Sequence, residues 1–359
     1  MKKILVIQHK MIGDVLTSTV LFELLRKQYP TAALHYLINT NTQAVVVNNP
    51  FIDKLHLFDP KKAKQKGYYR GFTQELIAEN FDLVIDVYAK LRSARLTRKL
   101  RAANSVSYRK WYTKGAYKQT VKPLSHTLKD EGLALVNRVL LLEALGFNDL
   151  SIPRPKIYIG ETEKNLALAQ LRQAELSPEA KVFMIAAFGS SPNKTYPLPY
   201  MAKVLDELVA RTQASLLFNY LPEQRPQLDE LISLCKPNTQ SHLRPDIYGK
   251  SLREFLALAS CCNAVIGNEG GAVNMGKALE LPTFSIFSPW ILKSAWNSYE
   301  ASGDNRSVHL ADLHPDLYRQ HPKKYKKQAA SYYAKLDPEF VIESMMTFLD
   351  HHDFSVSKP

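Results

Sequence analysis

The chain has 359 residues, is 45% hydrophobic and carries a formal charge of +13 at pH 7. That length outgrows a single core and is expected to divide in two. No window approaches the roughly 20 continuous apolar residues of a membrane span. The run Ile4 to Ile7 is too short for a secretory signal, and the three cysteines (Cys235, Cys261, Cys262) suggest neither a disulfide framework nor a metal site, so a reduced, cytoplasmic setting is expected.

In chain order, ILVI reads as a first strand. Val15 to Gln28 has helical spacing and stops before Pro30. ALHYLI is a second strand, Tyr69 to Glu79 a helix, FDLVIDV a third strand, and Leu128 to Leu145 a long apolar helix ending at Gly146. SIPRPKIYIG, rich in proline and glycine, reads as an interdomain connection. A helix from Thr162 to Ala174 precedes a fresh series: strand KVFMIAAFG, helix Leu198 to Ala210, strand ASLLFNY, and helices around Gln224 to Leu234 and Ser251 to Ser260. Strand NAVIGN, helix Gly271 to Leu279 and strand PTFSIFS follow, and an amphipathic helix spans Asp337 to Asp350. This alternation predicts an α/β protein with two doubly wound parallel domains, and ligands beyond the carboxyl ends of their strands.

The charge is unevenly placed. From Val87 to Lys122 there are eleven Lys or Arg and no Asp or Glu. A second cluster, Lys323, Lys324, Lys326 and Lys327, lies among Tyr325, Tyr332 and Tyr333. Such patches suit a polyanion: nucleic acid, anionic lipid or a phosphorylated substrate. A solvated surface is the plainer alternative, evenly weighed for the second cluster; the absence of any acid favours a polyanion for the first.

The loops after the strands carry the candidate chemistry. In QHKMIGD, Gly13 allows a tight turn and Asp14 falls near the helix start, where capping is an acid's commonest task; His9 is within reach of a ligand there. In GSSPNKTYP, small Ser190 and Ser191 let backbone N–H groups approach an anion and Lys194 adds charge, which makes a phosphate cradle or an ordinary turn. In GNEGGAVNMGKALELP, Gly270 and Gly271 open a helix whose free N–H groups suit phosphate. Glu269 there suits ribose or sugar hydroxyls, and Asn274 follows one turn on; a tight turn with a capping acid is the alternative. Ser288 and Pro289 of FSIFSPW are given a lining role. Dinucleotide, P-loop, zinc-protease and serine-hydrolase motifs are absent, as is a D-x-D pair.

Four of these segments together, across nearly the whole chain, resemble glycosyltransferase family 9, the ADP-heptose lipopolysaccharide heptosyltransferases. ILVIQHKMIGDVLTSTVLFELLRKQYP is similar to the family's opening strand, S-x-G-D loop and helix, and FDLVIDVYAKLRSARLTRKL to its D-x-Q-G-x-x-K-S segment. FGSSPNKTYPLPYMAKVLDEL resembles its phosphate loop, and GNEGGAVNMGKALELPTFSIFSP its D-[ST]-G-x-x-H stretch. The resemblance implies a GT-B fold, two Rossmann-like domains facing a cleft. Residues 1–160 would be the acceptor side, 161–336 the nucleotide-sugar side, and 337–359 a helix returning to the first domain.

It further implies an inverting, metal-independent transferase without cofactor, with Asp14 as general base. Ser190, Ser191, Lys194, Glu269, Gly270, Gly271 and Asn274 would bind the donor, and Lys10, Gly13, Arg92 and Ser93 the acceptor. ADP-heptose is the expected donor and an anionic lipid-linked saccharide, such as a lipopolysaccharide core, the acceptor, without nucleic acid. The basic stretch would bring the protein to the inner face of the cytoplasmic membrane as a peripheral partner. The chain departs from the family pattern at Glu269, Gly270, Asn274, Tyr196, Tyr88 and Ala89. A nucleic-acid-binding protein, an epimerase on the same fold, and an inactive nucleotide-sugar-binding homologue are the competing readings.

Overall fold

Continuous apolar runs make strands buried on both faces. The first six are β1 (Lys3–Gln8), β2 (Ala33–Asn39), β3 (Lys54–Phe58), β4 (Leu83–Asp86), β5 (Asn104–Tyr108) and β6 (Gln119–Val121). The second six are β7 (Val182–Ala186), β8 (Ser215–Phe218), β9 (Leu243–Arg244), β10 (Ala264–Asn268), β11 (Thr283–Ile286) and β12 (Asn305–Val308). The computed structural model describes residues 2–127, 129–148, 150–177, 179–320 and 322–355, with the backbone alone for Lys114, Ala295 and Pro322.

Both sheets are parallel throughout, in the orders β3-β2-β1-β4-β5-β6 and β12-β11-β10-β7-β8-β9. Read from β9, the second order repeats the first. The chain divides into two compact units, Met1–Tyr158 and Ile159–Pro359. Each is a doubly wound Rossmann-like domain whose strand order reverses between two central strands: β1 and β4 in one, β7 and β10 in the other. The register there is Ile7 opposite Asp86, and Ala186 opposite Gly267. Those four strand ends define where each unit can hold a ligand.

Several expectations are corrected. The first helix is two, Ile12–Ser18 and Val20–Gln28. The cause is a run of three hydroxyls: Thr17 donates to the Gly13 carbonyl at 2.8 Å, Ser18 to Asp14 at 2.7 Å and Thr19 to Leu16 at 2.7 Å. Such back-bonding competes with the helix ladder and bends it. The long apolar helix is shorter than expected, Leu133–Glu143; its expected start, Leu128, lies outside the described residues. The basic stretch contains a helix, Leu91–Leu100, and the last two strands of the first sheet, β5 and the edge strand β6, which its composition concealed.

The terminal helix Pro338–His351 packs within the second unit. Its Val341, Met345, Phe348 and Leu349 are buried in the core of the second unit, with Phe284, Ile286 and Leu205. Burying each such side chain contributes about 1.5–3 kcal/mol before entropy is counted, so this helix is part of what holds the second sheet together.

Candidate active site

In the first unit the loop after β1 leads straight into the helix Ile12–Ser18. The N-cap is Met11, which has no capping oxygen, and Asp14 is the third helical residue. The capping reading of Asp14 is therefore overturned: the residue lies inside the first turn. Its Oδ1 accepts from Arg138 Nη2 at 3.1 Å, and Lys10 Nζ stands 3.8 Å away. Arg138 comes from the helix Leu133–Glu143 and is 8% exposed. It also donates from Nη1 to the Ala134 carbonyl at 2.8 Å and from Nε to Ser18 Oγ at 3.4 Å. Three bonds fix the guanidinium, and the guanidinium fixes the carboxylate. Arg138 escaped sequence reasoning; its signal was a lone cation in the largely apolar run LALVNRVLLLE, which asks for a buried anion.

The loop after β4 adjoins this one. Asp86 is fully buried, accepting from Tyr117 OH at 2.6 Å and from the Ala89 N–H at 2.9 Å. Burial pushes its carboxyl above the usual carboxylate range. Lys110 donates to the Ala89 carbonyl at 2.7 Å; burial and the nearby charge of Lys90 pull its ammonium down. His9 packs edge-on to Phe58 and Tyr88, with Nδ1 3.0 Å from Asn39 Oδ1, and burial lowers its pKa.

Arg92 is exposed, its guanidinium lying over Phe58 and Tyr69 at 5.6 and 5.7 Å. It lines a groove of about 900 Å³ with Arg95, Arg98, Lys99, Tyr69 and Tyr112. Ser93 is placed differently from expectation. It is 1% exposed, and its hydroxyl accepts from Lys90 N at 3.1 Å and donates to Lys90 O at 3.0 Å. It closes the helix start and has no hydroxyl proton left for a ligand.

In the second unit, the loops after β7 and β10 are tied by Asn268. Its Oδ1 accepts from Tyr196 N at 2.7 Å, and its Nδ2 donates to the carbonyls of Ala187 at 2.7 Å and Ala186 at 3.2 Å. Gly189 is required because a Cβ would sit 2.2 Å from the Lys194 carbonyl oxygen. Ser190 is exposed, and Ser191 donates to Asn193 Oδ1 at 2.7 Å. The Asn193 carbonyl accepts from Ser288 Oγ at 2.7 Å and Trp290 Nε1 at 2.8 Å. Lys194 Nζ lies 5.5 Å from the centre of the Trp290 ring. Ser288 and Trp290 thus brace the loop that carries Lys194.

Glu269 is 8% exposed, and its buried Oε2 has no hydrogen-bond partner. Burial raises its pKa against the pull of Lys194 and Lys277. An unpartnered buried carboxylate oxygen is costly unless something donates to it. The helix Gly271–Ala278 follows; nothing stands within 4 Å of a Cβ built on Gly270, and only Met275 Cε, at 3.8 Å, near one on Gly271. The space beside both glycines is open, and Asn274 is half-buried one turn along. Among the described residues, two groups fall within metal-ligand reach of one another, His35–His56–Glu79 and Asp304–His351–His352. Neither belongs to these loops.

Two Rossmann-like domains in tandem, each with polar side chains gathered at its strand-order reversal, give the chain the GT-B fold. The chain belongs to glycosyltransferase family 9 (heptosyltransferase), whose model matches residues 69–313. Lipopolysaccharide heptosyltransferase 1 of Campylobacter coli is 23% identical over 302 residues, which cover 79% of this chain and 83% of that protein. A family 9 glycosyl transferase from Veillonella parvula DSM 2008 shares the fold with a TM-score of 0.78 at 19% identity over 98% of each chain. An E. coli heptosyltransferase solved with ADP shares it with a TM-score of 0.68 at 13% identity, over 96% of this chain and 99% of that one. No helix among the described residues is long and apolar enough to cross a membrane.

Proposed function

We propose that this glycosyltransferase moves a heptose from ADP-heptose to an anionic, lipid-linked saccharide of the lipopolysaccharide core, with inversion, without metal and with Asp14 as the general base. The observation that carries this reading is the carboxylate of Asp14, free of any capping duty and held at a ligand-binding strand end by Arg138. An inverting transfer needs a base on the acceptor's side of the sugar ring. Asp14 takes the proton of the acceptor hydroxyl as its oxygen attacks the anomeric carbon. The bond to the diphosphate breaks through an oxocarbenium-like state, and the leaving group departs as ADP. Proton loss runs late, when the attacking oxygen has become acidic, so a carboxylate suffices as the base.

The second unit binds the donor. Lys194 and the N–H groups that open the helix at Gly271 receive the diphosphate, with Ser190 and Ser191 at the edge of the same loop. Glu269 accepts from ribose or sugar hydroxyls, which satisfies its unpartnered oxygen, and Asn274 adds a polar contact. The first unit binds the acceptor through Lys10, Gly13 and Arg92, with Lys110 as a further cation. Ser93 acts by holding the helix that carries Arg92. The groove lined by Arg95, Arg98 and Lys99 matches acidic sugars and phosphates, and it favours a peripheral position on the inner face of an anionic membrane. Of the proteins named above, the Campylobacter coli one is a lipopolysaccharide heptosyltransferase and the E. coli one was solved with ADP, which supports the same donor and acceptor here.

The test is a thermal-shift panel with ADP, GDP, UDP and CDP, each with and without Mg²⁺. Stabilisation by ADP alone, unchanged by metal, is the expected result. Stabilisation by a different diphosphate changes the donor; no shift with any of them, alongside salt-sensitive RNA binding, removes the donor-site assignment.

A further inference from the structure

The lysine cluster near the C-terminus has no part in the function so far. It lies in the 3-10 segment Pro322–Gln328. This segment is held by aromatic packing: the Tyr325 ring lies tilted against Tyr332 at 5.0 Å and edge-on to Tyr318 at 5.4 Å, and its hydroxyl accepts from Gln320 N at 3.1 Å. Tyr318 in turn donates to the Pro289 carbonyl at 2.9 Å, one residue before Trp290. From this anchored segment Lys326 reaches the Trp290 ring, with Nζ 4.9 Å from its centre. Trp290 is the same indole that Lys194 approaches and that donates to the Asn193 carbonyl.

Two ammonium groups therefore converge on one indole, no farther apart than their two ring distances combined. Among the described residues, neither lies within ion-pair distance of a carboxylate. An indole face attracts one cation, but two cations on one ring repel each other, and the arrangement is relieved by a multiply charged anion. We propose that Lys326 is a second cation for the diphosphate of the nucleotide-sugar donor, positioned with Lys194 by Trp290. The proposal rests on the donor-site reading above. It gives the lysine cluster a role in donor binding and departure: as the glycosidic bond breaks, negative charge grows on the diphosphate and a second ammonium stabilises it.

The neighbours separate this from a general surface charge. Lys324 and Lys327 are exposed and, among the described residues, make no ring or ion-pair contact. The experiment is calorimetric titration of ADP, AMP and adenosine into the wild type and Lys326→Gln, Lys326→Arg, Lys324→Gln and Lys327→Gln, each first shown to unfold at the wild-type Tm. Lys326→Gln is expected to weaken ADP about tenfold, equivalent to about 1.4 kcal/mol, AMP less and adenosine not at all. Lys326→Arg should stay within about threefold, and the salt dependence of ADP binding should flatten only in Lys326→Gln. A wild type that binds ADP beside a Lys326→Gln variant that binds it equally well overturns the proposal and leaves the donor site standing. Equal losses in all three Gln variants also overturn it, since they mean a diffuse field. A wild type that binds no nucleoside diphosphate removes both readings.

Discussion

Arg138→Met tests the carboxylate that the mechanism depends on. The pair is 3.1 Å apart, with side chains 9% and 15% exposed. At an effective dielectric of about 20 the attraction is roughly 5 kcal/mol, most of it offset by desolvation of both groups. Removing one partner of a fully buried pair costs about 3–5 kcal/mol. Here Lys10 at 3.8 Å and some solvent remain for Asp14, so a stability loss of about 2 kcal/mol is expected in urea unfolding. The larger effect is on rate. Misplacing a catalytic group by about 1 Å costs on the order of a hundredfold, so kcat should fall about 30- to 100-fold while donor KM stays unchanged. Asp14→Asn should lose about a thousandfold. Adding Arg138→Met to Asp14→Asn should cost little more in rate, and a double-mutant cycle of stability should give a coupling of about 1–2 kcal/mol. ADP release, followed with ADP-heptose and a core acceptor, reads the rate. An Arg138→Met enzyme within twofold of wild-type kcat, beside an inactive Asp14→Asn, would refute the positioning argument.

Glu269 has a folded pKa raised by burial. Its contribution to stability is therefore full below the unfolded value of about 4.3 and is lost as pH rises through the folded value. Glu269→Gln should raise Tm at pH 7–8, lose that gain in acid, and bind ADP more weakly at every pH. Gly267 has φ of +138° and a Cβ there would meet the Ala186 carbonyl oxygen at 2.4 Å, so Gly267→Ala should destabilise the second unit by about 3 kcal/mol in chemical denaturation. Gly270→Ala, with nothing within 4 Å, should unfold normally yet bind ADP several-fold more weakly; unchanged affinity would mean the helix start does not face the nucleotide. Arg95→Ala and Arg98→Ala, in the basic groove, should each raise acceptor KM about two- to fivefold, as exposed charges do, with kcat unchanged and the effect fading in high salt.

The central strands were legible because burial on both faces demands an apolar run. ILVI, FMIA and NAVIGN need no context to be read, and they place the loops that follow them. The edge strands KLHLF, QTV and NRSV were missed because one free edge lets polar residues in, which erases the run, and NSVSY, paired on both sides, because its asparagine and two serines break the apolar pattern. The first loop was located correctly, but the helix begins at Ile12, before its apolar spacing does, so Asp14 was placed near a cap that it does not form. Arg138 stands 124 positions from Asp14, and no local pattern reports a pairing at that separation. Ser93 matched a motif position, and only the packed helix start shows its hydroxyl already occupied.

Asn268 has a consequence for motion. One side chain closes hydrogen bonds with Tyr196, Ala186 and Ala187, splicing the phosphate-type loop to the strand that launches the glycine-led helix. Neither loop can loosen without breaking bonds that belong to the other, so the two open as a single unit rather than fraying in turn. The Tyr196 amide, bonded to a side chain 2% exposed, would exchange with solvent at the pace of that joint opening, far more slowly than its position beside a surface loop suggests. A nucleotide arriving in this unit therefore meets a frame already assembled and spends little of its binding energy on ordering it.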